Sequence, residues 1–183
     1  MQLRNSPSRY GAVSMFLHWG VALAVFGMFA LGLWMVGLGY YDPWRKAGPE
    51  LHKSIGLVLF FFMVLRVIWR VASPPPPPTA NQAKPTRIAA VAVHAFLYLD
   101  IFLVMLTGYL ISTADGVGIS VFGLFQVPAV FSGIENQAER AGDIHLYLAW
   151  ALVTFAVLHG LAALKHHFID KDATLVRMLG RRA

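Results

Sequence analysis

The chain has 183 residues, of which 57% are hydrophobic and only 13% charged, and its mean hydropathy is +0.60. Soluble domains carry about a quarter charged residues, so an ordinary soluble domain is excluded and the membrane class is indicated. The net charge of +6 does not point to nucleic acid, because the basic residues flank apolar runs instead of forming one patch. The absence of cysteine removes disulfides, thiolate iron–sulfur ligation and thioether-bound haem.

Four stretches reach the roughly 20 apolar residues that a spanning helix needs: about 14–38, 51–71, 88–112 and 144–168. They predict an all-α membrane protein, a four-transmembrane-helix bundle with residues 1–183 as a single domain. The first run exceeds the apolar core of a signal peptide, about 7–15 residues, and no small-residue cleavage site follows it, so it is read as a span. The first connection, "GYYDPWRKAGPE", is short and makes the first two helices antiparallel neighbours; its Tyr40, Tyr41 and Trp44 favour a headgroup boundary. The second, residues 73–85, reads "SPPPPPTANQAKP", and its proline run predicts a stiff polyproline II spacer. The third, residues 113–143, is apolar in its middle but broken by Gly and Pro, and is expected to lie against the outer interface or cap the bundle. It sets Arg140 against Asp115, Glu135, Glu139 and Asp143. Most Lys and Arg lie before the first span, around the second connection and in the tail, which includes Arg181 and Arg182. By the positive-inside rule both termini are then cytoplasmic.

Ionisable residues inside a span are costly and mark candidate functional sites. In "IHLYLAWALVTFAVLHG", His145 and His159 are fourteen residues apart. At 100° per residue they share one face, and at 1.5 Å per residue they lie roughly 21 Å apart along the axis. His18 in "MFLHWG" comes level with His159, and His52 in "ELHKSIG" comes level with His145. Two histidine pairs, one on each side of the bilayer, are what two stacked haems held by facing helices require. Two other readings stand beside it: four unrelated structural histidines, and a bare metal such as zinc, which normally gathers three or four ligands at one place.

The same interval recurs on the second and third helices. Arg66 lies fourteen residues beyond His52, at the depth of the cytoplasmic pair, where a guanidinium suits a haem propionate or snorkels to the interface with Arg70. His94 and Gly108 repeat the interval. Gly108 would let a macrocycle approach the backbone at the outer site, Gly56 would make room one turn beyond His52, and His94 is read as a propionate or quinone contact. Asp100 lies about 9 Å deeper than His94 along the helix and is expected to stay protonated on a neighbouring hydroxyl, a proton relay being the other reading. The adjacent His166 and His167 point about 100° apart, which makes a poor metal motif.

The "LHW" of the first helix, "ELHKSIG", "DIHLYLAW…VLHG" and the tail "LKHHFIDKDATLVRML" resemble the bacterial cytochrome b561 family of four-helix, dihaem membrane proteins, across essentially the whole chain. The resemblance implies two non-covalent, bis-His haems b. Carried over, His18 and His159 are axial ligands of the cytoplasmic haem, and His52 and His145 of the outer one. It also implies electron transfer across the bacterial inner membrane, to or from the quinone pool, with ubiquinone and an unidentified outer-side donor as partners. One type in the family oxidises superoxide and reduces ubiquinone, using basic residues and a histidine near haem and quinone; Lys84, His94 and His166 are the nearest candidates here, with Arg70 beside them. Two further readings remain open: a haem-bearing anchor subunit of a respiratory dehydrogenase or hydrogenase, and a haem-free proton-coupled transporter using Asp100 and the histidines.

Overall fold

The computed structural model describes residues 2–79 and 82–180; Arg181 and Arg182 of the basic tail, and residues 80 and 81 of the proline-rich connection, lie outside them. Four long helices, α1 (Ala12–Val36), α2 (Trp44–Ala72), α3 (Lys84–Ser112) and α4 (Gln137–Phe168), precede a short α5 (Thr174–Met178). Each long helix has an 18-residue window of mean hydropathy between 1.8 and 2.2, and at most 11% of any window is buried inside the protein. So much exposed apolar surface requires hydrocarbon as solvent, and the protein is mostly helical with four candidate membrane-spanning helices.

Helices α2 and α4 each begin seven residues ahead of their apolar runs. Side chains, not hydropathy, set these starts. Asp42 Oδ1 accepts the Trp44 N–H at 2.8 Å, and the Gln137 amide donates to the Leu110 and Phe131 carbonyls at 2.9 and 3.1 Å. The first caps an open N–H of α2, and the second ties the start of α4 to a carbonyl in the last turn of α3.

The chain forms two compact units. The loop unit, residues 24–61 and 98–153, holds the first and third connections. In it Phe29 packs edge-on against Trp150 at 4.8 Å, joining α1 to α4, and Phe60 against Phe102 at 6.0 Å, joining α2 to α3. The third connection contains an antiparallel pair that the sequence reading lacked, β1 (Ile119–Val121) and β2 (Phe125–Val127), with Val121 opposite Phe125. Its turn places Phe122 and Gly123 at φ 49° and 73°, the positive values a tight hairpin demands. The Ser54 hydroxyl on α2 accepts the Phe122 N–H at 3.0 Å and donates to the Ser120 carbonyl at 3.3 Å. That fastens the hairpin two residues beyond His52.

The terminal unit, residues 2–23, 62–97 and 154–180 among those described, gathers both ends of the chain. Trp69 on α2 donates to the Ser14 hydroxyl on α1 at 3.0 Å, and Phe96 on α3 packs against Phe155 on α4 at 4.3 Å. The proline-rich connection, expected to be a spacer, is held by the tail: Arg177 donates to the Pro77 carbonyl at 2.9 Å, and Gln82 to Asp172 and Thr174 at 3.2 and 3.1 Å. Met178 of α5 accepts the Trp19 indole N–H at 3.1 Å.

Asn5 ties the N-terminal arm to the end of α2. Its amide donates to the Ser73 and Pro74 carbonyls at 2.7 and 3.2 Å, and its Oδ1 accepts the Gly11 N–H at 2.8 Å. Asn5→Ala strips all three bonds, so a loss of about 1–3 kcal/mol is expected, read as a lower melting temperature and faster proteolysis of the arm.

Asp172 anchors the tail. Burial alone would raise its pKa, but hydrogen bonds from Thr174 and Gln82 and the nearby His166 outweigh this and hold the carboxyl below the usual range. A group depressed on folding contributes stability above its unfolded value, near 3.9, and loses it as pH falls through the folded value. Acidification through that window is expected to undock α5, read as tail cleavage by an acid-tolerant protease. In Asp172→Asn cleavage is expected to be the same across the window.

Candidate functional site

Residues fourteen apart return to one face of a helix, and every long helix uses the interval once: His18 and Gly32 on α1, His52 and Arg66 on α2, His94 and Gly108 on α3, His145 and His159 on α4. One member of each pair falls in the loop unit and the other in the terminal unit. Each unit therefore collects four such positions, one from each helix.

In the loop unit the His52 and His145 rings face each other with centroids 6.2 Å apart and planes at 74°. His145 Nδ1 lies 2.9 Å from the Val104 carbonyl and 3.2 Å from the Thr107 hydroxyl. A carbonyl only accepts, so Nδ1 carries the proton and Nε2 keeps its lone pair. Outer bonds of this kind orient a metal-ligating imidazole. His52 Nδ1 is buried with no hydrogen-bond partner among the described residues. Glycines on neighbouring helices make room for both rings: a Cβ at Gly108 would lie 3.1 Å from His145 Cε1, and one at Gly32 3.4 Å from His52 Cε1. Gly56 instead faces the Met28 methyl, 3.6 Å from its would-be Cβ, so the role expected of it at the ring passes to Gly32. Sequence reasoning missed Gly32, although it stands fourteen residues after His18.

In the terminal unit His18 and His159 are also 6.2 Å apart, with planes at 80°. His94 lies nearer, its centroid 5.0 Å from that of His159, and its ring bonds the Ala90 carbonyl. Arg66, expected against an anion or at the interface, places Nη2 3.1 Å from His18 Nδ1. A guanidinium only donates, so His18 Nδ1 accepts and its proton sits on Nε2. Arg66 and Arg70 are both within electrostatic reach of His94. The other two quinone or propionate candidates are placed differently. Lys84 is exposed in the first turn of α3. His166 turns to the tail, its Nδ1 2.9 Å from Asp170 and 3.1 Å from Asp172, near enough for ion pairing but out of line for a hydrogen bond. Asp100 is only 2% exposed, and neither carboxyl oxygen has a hydrogen-bond partner among the described residues. The hydroxyl bond expected for it is not formed.

Both pairs fit the axial ligand set of a haem. Two metal–imidazole bonds of about 2 Å each, added to the distances from nitrogen to ring centre, account for a 6.2 Å separation. The loop-unit pair has a lone pair ready on His145 and glycines clearing both rings. In the terminal unit Arg66 must first leave His18 Nδ1, so that the proton can move there and free Nε2.

A family model described as prokaryotic cytochrome b561 matches residues 9–181. The chain is 56% identical over 181 residues to cytochrome b561 homolog 2 of Escherichia coli (strain K12), covering 99% of this chain and 96% of that one. It is 30% identical to cytochrome b561 homolog 1 of the same organism, covering 96% and 99%. Against the probable superoxide oxidase CybB of Yersinia pestis it is 28% identical, covering 95% and 97%.

Proposed function

Because this chain belongs to the prokaryotic cytochrome b561 family of membrane haem proteins, we propose that it is a dihaem b electron carrier of the bacterial inner membrane, exchanging electrons with the quinone pool. The observation that carries the reading is the pair of histidine couples at the same 6.2 Å separation. His52 and His145 hold one haem and His18 and His159 the other, within a single domain whose termini face the cytoplasm.

Bound haem supplies one-electron redox chemistry at iron. The protein's part is to hold and to tune. With two imidazoles to hold each haem, the sites would serve electron transfer and not oxygen binding. Val104 fixes the His145 tautomer. Arg66 would pair bidentately with a propionate, and with Arg70 and His94 it makes the cluster to which we assign propionate or quinone contact. A positive charge at Arg66 would favour the reduced, less positive iron of the haem held beside it. Arg66→Gln is expected to lower one midpoint potential in a redox titration and leave the other in place.

One relative is named a probable superoxide oxidase. Here Asp115, Glu135, Glu139 and Asp143 outnumber Arg140 on the third connection, a charge balance that repels a superoxide anion. We therefore do not assign that donor.

The test is the reduced-minus-oxidised visible spectrum of the detergent-purified protein, with extracted haem counted per polypeptide. Two low-spin, non-covalent haems b per chain are expected. A protein free of haem after expression with ample haem supply ends this reading, and proton-coupled uptake in liposomes then becomes the activity to assay.

A further inference from the structure

Asp100 has no part in the electron-transfer reading, yet it is the most conspicuous polar group in the spanning part of the loop unit. It is 2% exposed, and both of its oxygens lack a hydrogen-bond partner among the described residues. A buried carboxylate with neither partner nor counter-ion is expensive; the same carboxyl holding a proton is neutral.

Position links Asp100 to the His52–His145 pair. On α3 it precedes Val104 by four residues and Thr107 by seven, which puts all three on one stripe of the helix. Val104 and Thr107 are the two residues that meet His145 Nδ1, so Asp100 lies about 6 Å along the axis from the carbonyl that orients that imidazole. The other titratable groups of the spanning loop unit are few. Residues 24–36 of α1 contain none; α2 offers His52, followed by Lys53, which is paired with Glu50; α3 adds Tyr98 and Tyr109; and α4 adds His145 and the exposed Tyr147.

We propose that Asp100 is a proton-binding site that takes up one proton when the His52–His145 site accepts an electron and releases it when the electron leaves. The inference rests on the haem reading above. When the site gains one electron from a one-electron donor, a hydronium ion of the aqueous phase would give its proton to the Asp100 carboxylate, an O–H bond forming there as one breaks in hydronium and water is left. With the iron oxidised, the carboxylate offsets its extra positive charge. With the iron reduced, the proton keeps the buried carboxyl neutral. The net charge of this region is therefore the same in both redox states, which in a low-dielectric interior removes a large electrostatic cost.

The test is a redox titration of the haem-replete protein at several pH values, together with a redox-difference infrared spectrum. In the wild type one midpoint is expected to fall by up to about 59 mV per pH unit, the equivalent of tenfold in proton activity for a one-electron couple, over the range where Asp100 exchanges its proton. A protonated-carboxyl band is expected to appear on reduction. Asp100→Asn should keep both haems, flatten the slope and lose the band. Asp100→Leu, which removes the two unpartnered oxygens, should also keep both haems and melt no lower than the wild type, whereas a structural role for the carboxyl predicts that it melts lower. Equal slopes in wild type and Asp100→Asn, or no carboxyl band, overturn this inference and leave the dihaem reading standing. A protein without haem overturns both.

Discussion

His145→Ala is expected to cut extracted haem from two per chain to one and to leave the His18–His159 haem spectrally unchanged. His145 is the better-held imidazole of its pair. Its Nδ1 is fixed by Val104 and Thr107, whereas His52 Nδ1 has no hydrogen-bond partner among the described residues and depends on packing, including the space beside Gly32. Losing the oriented ligand removes an axial bond together with the contact that sets its direction, and His52 alone cannot saturate the iron. The alternative outcome, loss of both haems through misfolding, is recognised by rescue: imidazole in the medium fits the cavity left by the side chain and should restore the second haem. His167→Ala is the control. Its ring packs on Phe168 at the end of α4, 4.7 Å between centroids, and both haems should survive its removal. A count of two haems in His145→Ala would show that the second iron is held elsewhere.

The four spanning helices were readable because a lipid solvent imposes a long apolar run on each, and the histidine pairs because helical periodicity turns a fourteen-residue spacing into a shared face. What escaped was set by contacts that composition does not encode. α5 and the turn before it depend on Gln82, Pro77 and Trp19, some 90 to 160 residues away in sequence. The hairpin depends on a single serine of α2. Val104 contributes only its backbone carbonyl to His145, and any residue carries one. Gly32 was within reach of the same spacing rule and was passed over because a glycine carries no chemistry. Its signal was the gap it leaves opposite a histidine. Arg66 was placed on the ligand face but meets His18 itself, a contact between α2 and α1 that the spacing within one helix does not encode.

Gly108→Ala tests whether the glycines are cut to the rings. Its new Cβ would sit 3.1 Å from His145 Cε1 and near 3.4 Å from His145 Nδ1, closer than ordinary van der Waals contact allows. The imidazole cannot retreat freely, since Nδ1 is bonded to the Val104 carbonyl on the same helix as Gly108. Overpacking of this kind costs about 1–3 kcal/mol, which at 1.4 kcal/mol per tenfold weakens haem binding at this site roughly 5- to 150-fold. The expected result is partial occupancy, near full occupancy at the other site, and a shifted spectrum for the haem that remains in the strained one. Gly27→Ala provides the contrast within the same unit. Nothing lies within 4 Å of its would-be Cβ, and replacing glycine by alanine in a helix interior gains about 0.8–1.0 kcal/mol. That variant should melt higher and keep both haems. Equal haem loss in the two variants would mean that helix stiffness governs occupancy. Loss confined to Gly108→Ala means that the chain gave up helix stability at that position to admit an imidazole already oriented for iron.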